Sequence, residues 1–239
     1  MQTDLQEPPW RVIRAFPQAD GGTLVHLHNV SGGVLAGDRL SLEVRVGPRA
    51  RAQITSTGAT RLYRHRRDRA DSEQRISISV AEEGLLEYLP DALIPFAGSR
   101  HRQQTEIHLA ERATLFWWEV LAPGRQAMGE QFRFERLSVR TRIESPRGPL
   151  LWEDFLLEPG ARPLNSAARL GDATHTASFY AFQVGRSLVD LRELETRLSE
   201  IALQESRPGC TMWGASALAA DGVIVRGLSG TSRSLPATL

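Results

Sequence analysis

The chain of 239 residues contains no lysine, and all 29 of its basic residues are arginine. That absence excludes Schiff-base and other lysine-nucleophile chemistry. It equally excludes the lysine-bearing phosphate loop of nucleotide hydrolases, and Gly37 is followed by Asp38 where that loop needs Lys. With one cysteine, Cys210, there is neither an internal disulfide nor a thiolate metal cage; Cys210 reads as a small core hydrophobe. No apolar run approaches the ~20 residues that cross a bilayer. Met1–Pro9 has neither the basic nor the apolar region of a signal peptide, so the chain is expected to act in the cytoplasm, without a membrane partner. A net charge of +1 gives no reason to expect a nucleic-acid partner. Neither a G-x-S-x-G elbow nor an H-E-x-x-H pair occurs, and no nucleophile–base set stands out, so no catalytic residues are assigned and the chain is not expected to be an enzyme.

What is present is mostly a period of two. Arg11–Phe16, Thr23–Val30, Arg39–Val46, Ala50–Thr55, Arg75–Val80 and Leu85–Leu89 alternate or are rich in β-branched residues. Gln104–Leu109, Ala113–Leu121, Phe132–Ile143 and Leu150–Leu157 continue the pattern, with Gly-Pro and Pro-Gly turns between them. Ser187–Glu205 departs from it: Leu188, Leu191, Leu194, Leu198 and Ile201 recur at helical spacing, Ser187 suits an N-cap, and Pro208-Gly209 stops the run. Cys210–Ala219 and Val223–Leu228 then form a hairpin around Asp221-Gly222. The expected fold is all-β, with stacked or sandwich-like strands and one or two docked helices, in a single domain over residues 1–239.

Four carboxylates interrupt otherwise apolar strands. Glu119 lies between Trp117 and Leu121 on one face, Asp154 between Trp152 and Leu156, Glu153 between Leu151 and Phe155 on the opposite face, and Glu87 between Leu85 and Leu89. A lone carboxylate in dry apolar surroundings costs several kcal/mol at least. Each must therefore meet an arginine, such as Arg125 or Arg142, or else water, a metal or a partner. His26 and His28, at i and i+2, have a chelating spacing, but a stable transition-metal centre needs three or four ligands. His65, His101, His108 and His175 read as solvated or structural. The run Arg61, Arg64, Arg66, Arg67, Arg69 holds one local counter-charge, Asp68; it is either a solvated loop or a face for an acidic patch on a partner. Trp117-Trp118 requires both strand faces to hide a ring, or one ring to be offered to a partner.

Two glycine- and proline-marked stretches answer one another along the chain. Ser31-Gly32-Gly33-Val34-Leu35-Ala36-Gly37-Asp38-Arg39-Leu40 puts three glycines and an Asp-Arg pair at a strand edge. Leu86-Glu87-Tyr88-Leu89-Pro90-Asp91 runs into Leu93-Ile94-Pro95-Phe96-Ala97-Gly98-Ser99-Arg100, with Thr57-Gly58-Ala59-Thr60 and Tyr63-Arg64 between the two. Taken in this order, from about Trp10 to Ser234, the chain resembles the UreD (UreH) family of urease accessory proteins. The resemblance implies a non-catalytic scaffold that binds apo-urease, a UreF-type protein and, through it, a UreG-type GTPase during nickel insertion. It implies that Ser31, Gly32, Gly33, Gly37, Asp38, Gly58, Tyr63, Arg64, Pro95, Gly98 and Ser99 shape a partner interface or a passage. It also implies no tightly bound cofactor, only Ni²⁺ in transit past acids such as Glu87, Glu119, Glu153 and Asp154, with His26 and His28 as further candidates. Family members usually continue into another C-terminal helix and a basic tail, which this sequence lacks at Leu239. A carbohydrate- or ligand-binding β-sandwich with an exposed Trp platform is the alternative.

Overall fold

The computed structural model describes residues 1–66 and 68–231. In chain order the first strands are β1 (Trp10–Pro17), β2 (Thr23–Asn29), β3 (Arg39–Val46), β4 (Arg51–Ser56) and β5 (Thr60–Leu62). β6 (Ser72–Val80), β7 (Leu85–Leu89), β8 (Leu93–Pro95), β9 (Arg100–Leu109) and β10 (Thr114–Leu121) follow. β11 (Arg136–Ser145), β12 (Gly148–Leu157), β13 (His175–Gln183), helix α1 (Leu188–Glu205), β14 (Thr211–Ala217) and β15 (Gly222–Ser229) complete the order.

From β2 to β11 the chain coils, laying one strand alternately in each of two sheets. In the larger sheet β2, β4, β7 and β10 run parallel; in the smaller, β3, β6, β9 and β11 do so. β1 pairs antiparallel with β2 at one edge of the larger sheet, and β13, β15 and β14 extend its other side antiparallel. β12 closes the edge of the smaller sheet as an antiparallel partner of β11. A narrow third face arises where β5 and β8 pair in parallel and Val34 bridges Leu62. Val34, Leu62 and Pro95 thus occupy one position on three successive turns of the coil.

Alternation decides which side chains go inside. In β6, Ser72, Gln74, Ile76, Ile78 and Val80 are buried and the residues between them are not. The shared core takes Ile54, Tyr88, Trp117 and Tyr180 from the larger sheet and Ile76, Ile78, Ile107 and Ile143 from the smaller. Trp117 stacks on Tyr180, with ring centroids 4.7 Å apart. Trp118 points the other way and stacks on Trp213 at 6.3 Å, where Leu198 and Ala202 of α1 cover the outer face of the larger sheet. Both faces therefore hide a tryptophan.

β3 and β7 have their predicted bounds, and Ser187 caps α1 by accepting a hydrogen bond from Asp190 N at 3.1 Å. The strand predicted from Phe132 begins only at Arg136, because Phe132 sits at a φ of 52°, incompatible with a strand. The sequence reading missed β5, β8 and β13. The first two are three residues long, too short for a period to register. β13 runs under α1 on one side and against the core on the other, so Phe179, Tyr180 and Phe182 do not alternate with polar residues. α1 is the only α-helix among the described residues. Residues 232–239, which lead up to the point where the family's further helix would begin, lie outside them.

Candidate functional site

The inner faces of the two sheets do not close completely. They leave a cavity of about 110 Å³ lined from one side by Leu27, Tyr88, Trp117, Glu119 and Ser178 and from the other by Gln74, Gln103, Leu137, Val139 and Phe155. The register explains the polar content. Glu119 of β10 is opposite Ser178 of β13, which is in turn opposite Arg226 of β15. Across the gap, Gln74 and Gln103 are partners on β6 and β9. Gln74 is buried and its Oε1 has no hydrogen-bond partner, and Trp10 Nε1, also on the lining, is likewise unpartnered. Such orphaned polar atoms are what a water-holding cavity satisfies.

Glu119 is the unusual group. It is only half-buried as a residue, yet its carboxyl is pushed up to about 8, chiefly because burial penalises the charged form; the field of Arg226 pulls in the opposite direction and loses. Arg226 is already committed, since it pairs with Glu153, whose second oxygen accepts a 2.6 Å hydrogen bond from the Tyr180 hydroxyl. Glu119 keeps a proton at neutral pH as a result. Burial, and above about pH 8 the charge of ionised Glu119, hold the phenols of Tyr88 and Tyr180 far above their ordinary range.

The other carboxylates separate. Asp154 is on the outer face of β12 and forms an exposed ion pair with Arg140 at 2.6 Å. Glu87 is opposite Gln53 and Phe116, on the face of β7 away from the buried Leu86 and Tyr88. His26 and His28 also face away from the buried Val25 and Leu27; His26 packs against Phe16 and His28 hydrogen-bonds Thr57. The expectation that these acids share one passage is thus corrected: Glu119 lines the cavity, Glu153 faces inward beside it, and Asp154, Glu87 and both histidines lie outside. Arginine pairing occurs as expected but with other partners, because Arg125 binds Glu130 and Arg142 stacks over Trp152 at 4.1 Å. No group of three or more His, Cys, Asp or Glu side chains suited to a metal exists among the described residues. Gln74 was missed, although the alternation of β6 places it with Ile76, Ile78 and Val80 and so marks it as a buried amide.

The motif residues gather on the third face. Ser31 Oγ lies 2.7 Å from both Asn29 Oδ1 and Gly33 O, knitting the first glycine turn together. Asp38 accepts from Leu35 N at 2.8 Å and closes the next turn at Gly37. Tyr63 lies over Gly33 and meets Phe96 edge-on at 5.3 Å. Pro95 is paired with Leu62, and Arg64 packs on Gly98. The backbone oxygen of Ser99 accepts from Glu135 N at 2.9 Å, while its hydroxyl is buried. Gly58 faces open space. Of the histidines, His101 and His175 are buried; at His101, Ser72 Oγ, which donates to Arg100 O, lies 2.9 Å from Nδ1, and burial lowers the pKa to about 4.

The fold defines a class, a coil of parallel strands closed by an antiparallel cap around a largely apolar cavity that holds a few polar groups. Sequence comparison makes the class specific. A family model described as "UreD urease accessory protein" matches residues 1–239. The urease accessory protein UreD of Herpetosiphon aurantiacus is 43% identical over 235 residues, covering 97% of this chain and 80% of that protein. UreD 2 of Streptomyces griseus is 36% identical over 161 residues, 66% of this chain and 54% of the relative. UreD of Lysinibacillus sphaericus is 27% identical over 204 residues, 84% and 75% respectively. The chain belongs to the UreD family of urease accessory proteins.

Proposed function

We propose that this chain is a cytoplasmic scaffold for nickel insertion into apo-urease, assembled with a UreF-type protein and, through it, a UreG-type GTPase, and that Ni²⁺ passes through the cavity at Glu119. The carrying observation is a carboxyl that lines a largely apolar internal cavity and has no ion-pair partner of its own among the described residues. Two features support transit rather than storage. The lining includes the exposed residues Asp91 and Phe155, so the cavity borders the surface and is not sealed within the core. Oxygen donors hold Ni²⁺ less tightly than imidazole or thiolate, and the donors here are carboxyl, amide and hydroxyl groups. Nickel is cargo on this reading, and the chain carries out no chemistry of its own.

The carbohydrate- or ligand-binding sandwich is not favoured. Trp117 and Trp213 are buried, Trp118 packs beneath α1, and the exposed Trp152 has one ring face occupied by Arg142. Among the described residues there is no open aromatic platform of the kind that reading requires.

The test is co-expression of the tagged chain with apo-urease and its companion proteins, comparing Glu119→Gln with Asp154→Asn. Glu119→Gln is expected to leave the complex intact and to lower nickel per urease several-fold. Asp154→Asn, which removes only an exposed ion pair worth about 1 kcal/mol or less, is expected to change neither. Equal nickel loading by Glu119→Gln and the unaltered chain would remove the passage from this reading. Failure of the unaltered chain to co-purify with any companion would remove the scaffold.

A further inference from the structure

On the narrow third face, side chains of the arginine-rich segment lie across the glycines of the two motifs. A Cβ on Gly33 would come within 2.5 Å of Tyr63 Cε2 and 2.7 Å of Arg61 O, so only glycine lets the Tyr63 ring lie there. At Gly98 a Cβ would be 3.3 Å from Arg64 Cγ, and at Gly37 it would be 3.7 Å from Arg69 Cβ. Backbone oxygens hold two of the guanidiniums from behind: Arg61 Nη1 donates to Gly32 O at 3.2 Å and Arg64 Nε to Ala97 O at 3.4 Å. Tyr63 is steadied by Phe96, and Phe96 by the Arg125 guanidinium 4.7 Å above its ring.

These arginines have little to neutralise them. Arg61, Arg64, Arg66 and Arg133 are exposed, and none forms an ion pair among the described residues. Arg69 has only Asp68, 3.8 Å away, with both side chains more than half exposed. Glu130 is bound to Arg125 and only its weaker, longer-range field reaches Arg64, while Asp71 is bound to Arg100 at 2.8 Å. Arg67 lies outside the described residues. A chain of net charge +1 therefore concentrates unpaired positive charge on one seated surface.

We propose that this face docks an acidic segment of a protein partner, with carboxylates received by Arg61, Arg64 and Arg66 and with Tyr63 as the aromatic floor. Arginine forks match carboxylates in geometry, and seating the Arg61 and Arg64 side chains beforehand reduces the freedom lost on binding. Protein fits better than nucleic acid. Carboxylates of Asp68 and Glu130 interrupt the patch, which would repel a continuous phosphate backbone, and the chain's pI of about 8.1 is below that of a typical nucleic-acid binder. The proposal rests on the scaffold reading only in taking the partner to be a protein.

The measurement is fluorescence anisotropy of a labelled polyglutamate peptide titrated with the full chain at low salt. Arg61→Gln, Arg64→Gln and Arg66→Gln are combined in one variant; Arg162→Gln, Arg192→Gln and Arg197→Gln, exposed elsewhere, are combined in a control of equal charge. The first variant is expected to bind roughly 10-fold more weakly and the control to stay within about two-fold, with melting curves unchanged in both. No binding by the unaltered chain, equal weakening in both variants, or tighter binding of a single-stranded oligonucleotide through the same arginines would each overturn the proposal. In the co-purification assay, a triple variant that keeps every companion would overturn it while leaving the scaffold reading intact. If the unaltered chain captures no companion, the scaffold reading fails and the peptide titration alone decides this one.

Discussion

Glu119→Gln is expected to stabilise the chain at alkaline pH and to leave it unchanged below about pH 4.5. The sign follows from linkage. The Glu119 carboxyl rises from its ordinary 4.5 to about 8 on folding. Between those values the folded chain holds a proton that the unfolded chain has released, so stability falls as pH rises and the loss is complete above about 8. Glutamine resembles the protonated acid and has nothing to lose, so its profile lacks this slope. A shift of this size is worth up to about 5 kcal/mol, and water reaching the carboxyl through the cavity reduces it; a gain of roughly 2 kcal/mol near pH 8 is expected. Chemical denaturation of both proteins across pH reads the difference directly. His101 contributes a slope of its own in acid, its pKa being lowered to about 4, but equally in both proteins, so it cancels. Parallel stability profiles for the two proteins would mean that Glu119 is ionised and solvated throughout, and the neutral carboxyl in the cavity would have to be abandoned.

Gly227→Ala is expected to cost a large share of stability for the addition of one methyl group. Gly227 of β15 is directly opposite Trp213 of β14, and a Cβ there would press on three atoms of the Trp213 ring at distances real Cβ atoms do not adopt. The ring has nowhere to go: Trp118 stacks on it, and Ala202 of α1 and Val225 pack around it. Overpacking against a flexible side chain costs 1–3 kcal/mol, and a wedged indole should reach about 3 kcal/mol. Urea unfolding should show the midpoint lowered with little change in slope. Trp213→Leu in the same chain should restore part of the loss, since the two residues share one contact. A near-neutral Gly227→Ala would show that α1 is not held by this stack.

Much of the architecture was legible along the chain because burial on one face writes a period into the residues. The strands of the coil, the Ser187-capped helix and the hairpin at Asp221-Gly222 are all local patterns. Asp221 at a φ of 53° shows how closely turn chemistry and structure agree. The candidate site was less legible. Alternation correctly put Glu119 between Trp117 and Leu121, and Glu153 on the face opposite Asp154. It was silent about which face was inside, because β12 is an edge strand with exposed apolar residues on it, Trp152 and Leu156 among them.

The sequence by itself determined the all-β class, the family and the short-range placement of each carboxyl relative to its strand neighbours, because those depend on residues near one another in the chain. Tertiary structure alone decided that Glu119 meets Gln74 across a gap while Asp154 meets Arg140 in solvent. It alone brought Gly33, Tyr63, Phe96 and Gly98 onto one face. The physical reason is the parallel coil: it pairs each strand with the strand one turn away, tens of residues along the chain, and no local period carries that register.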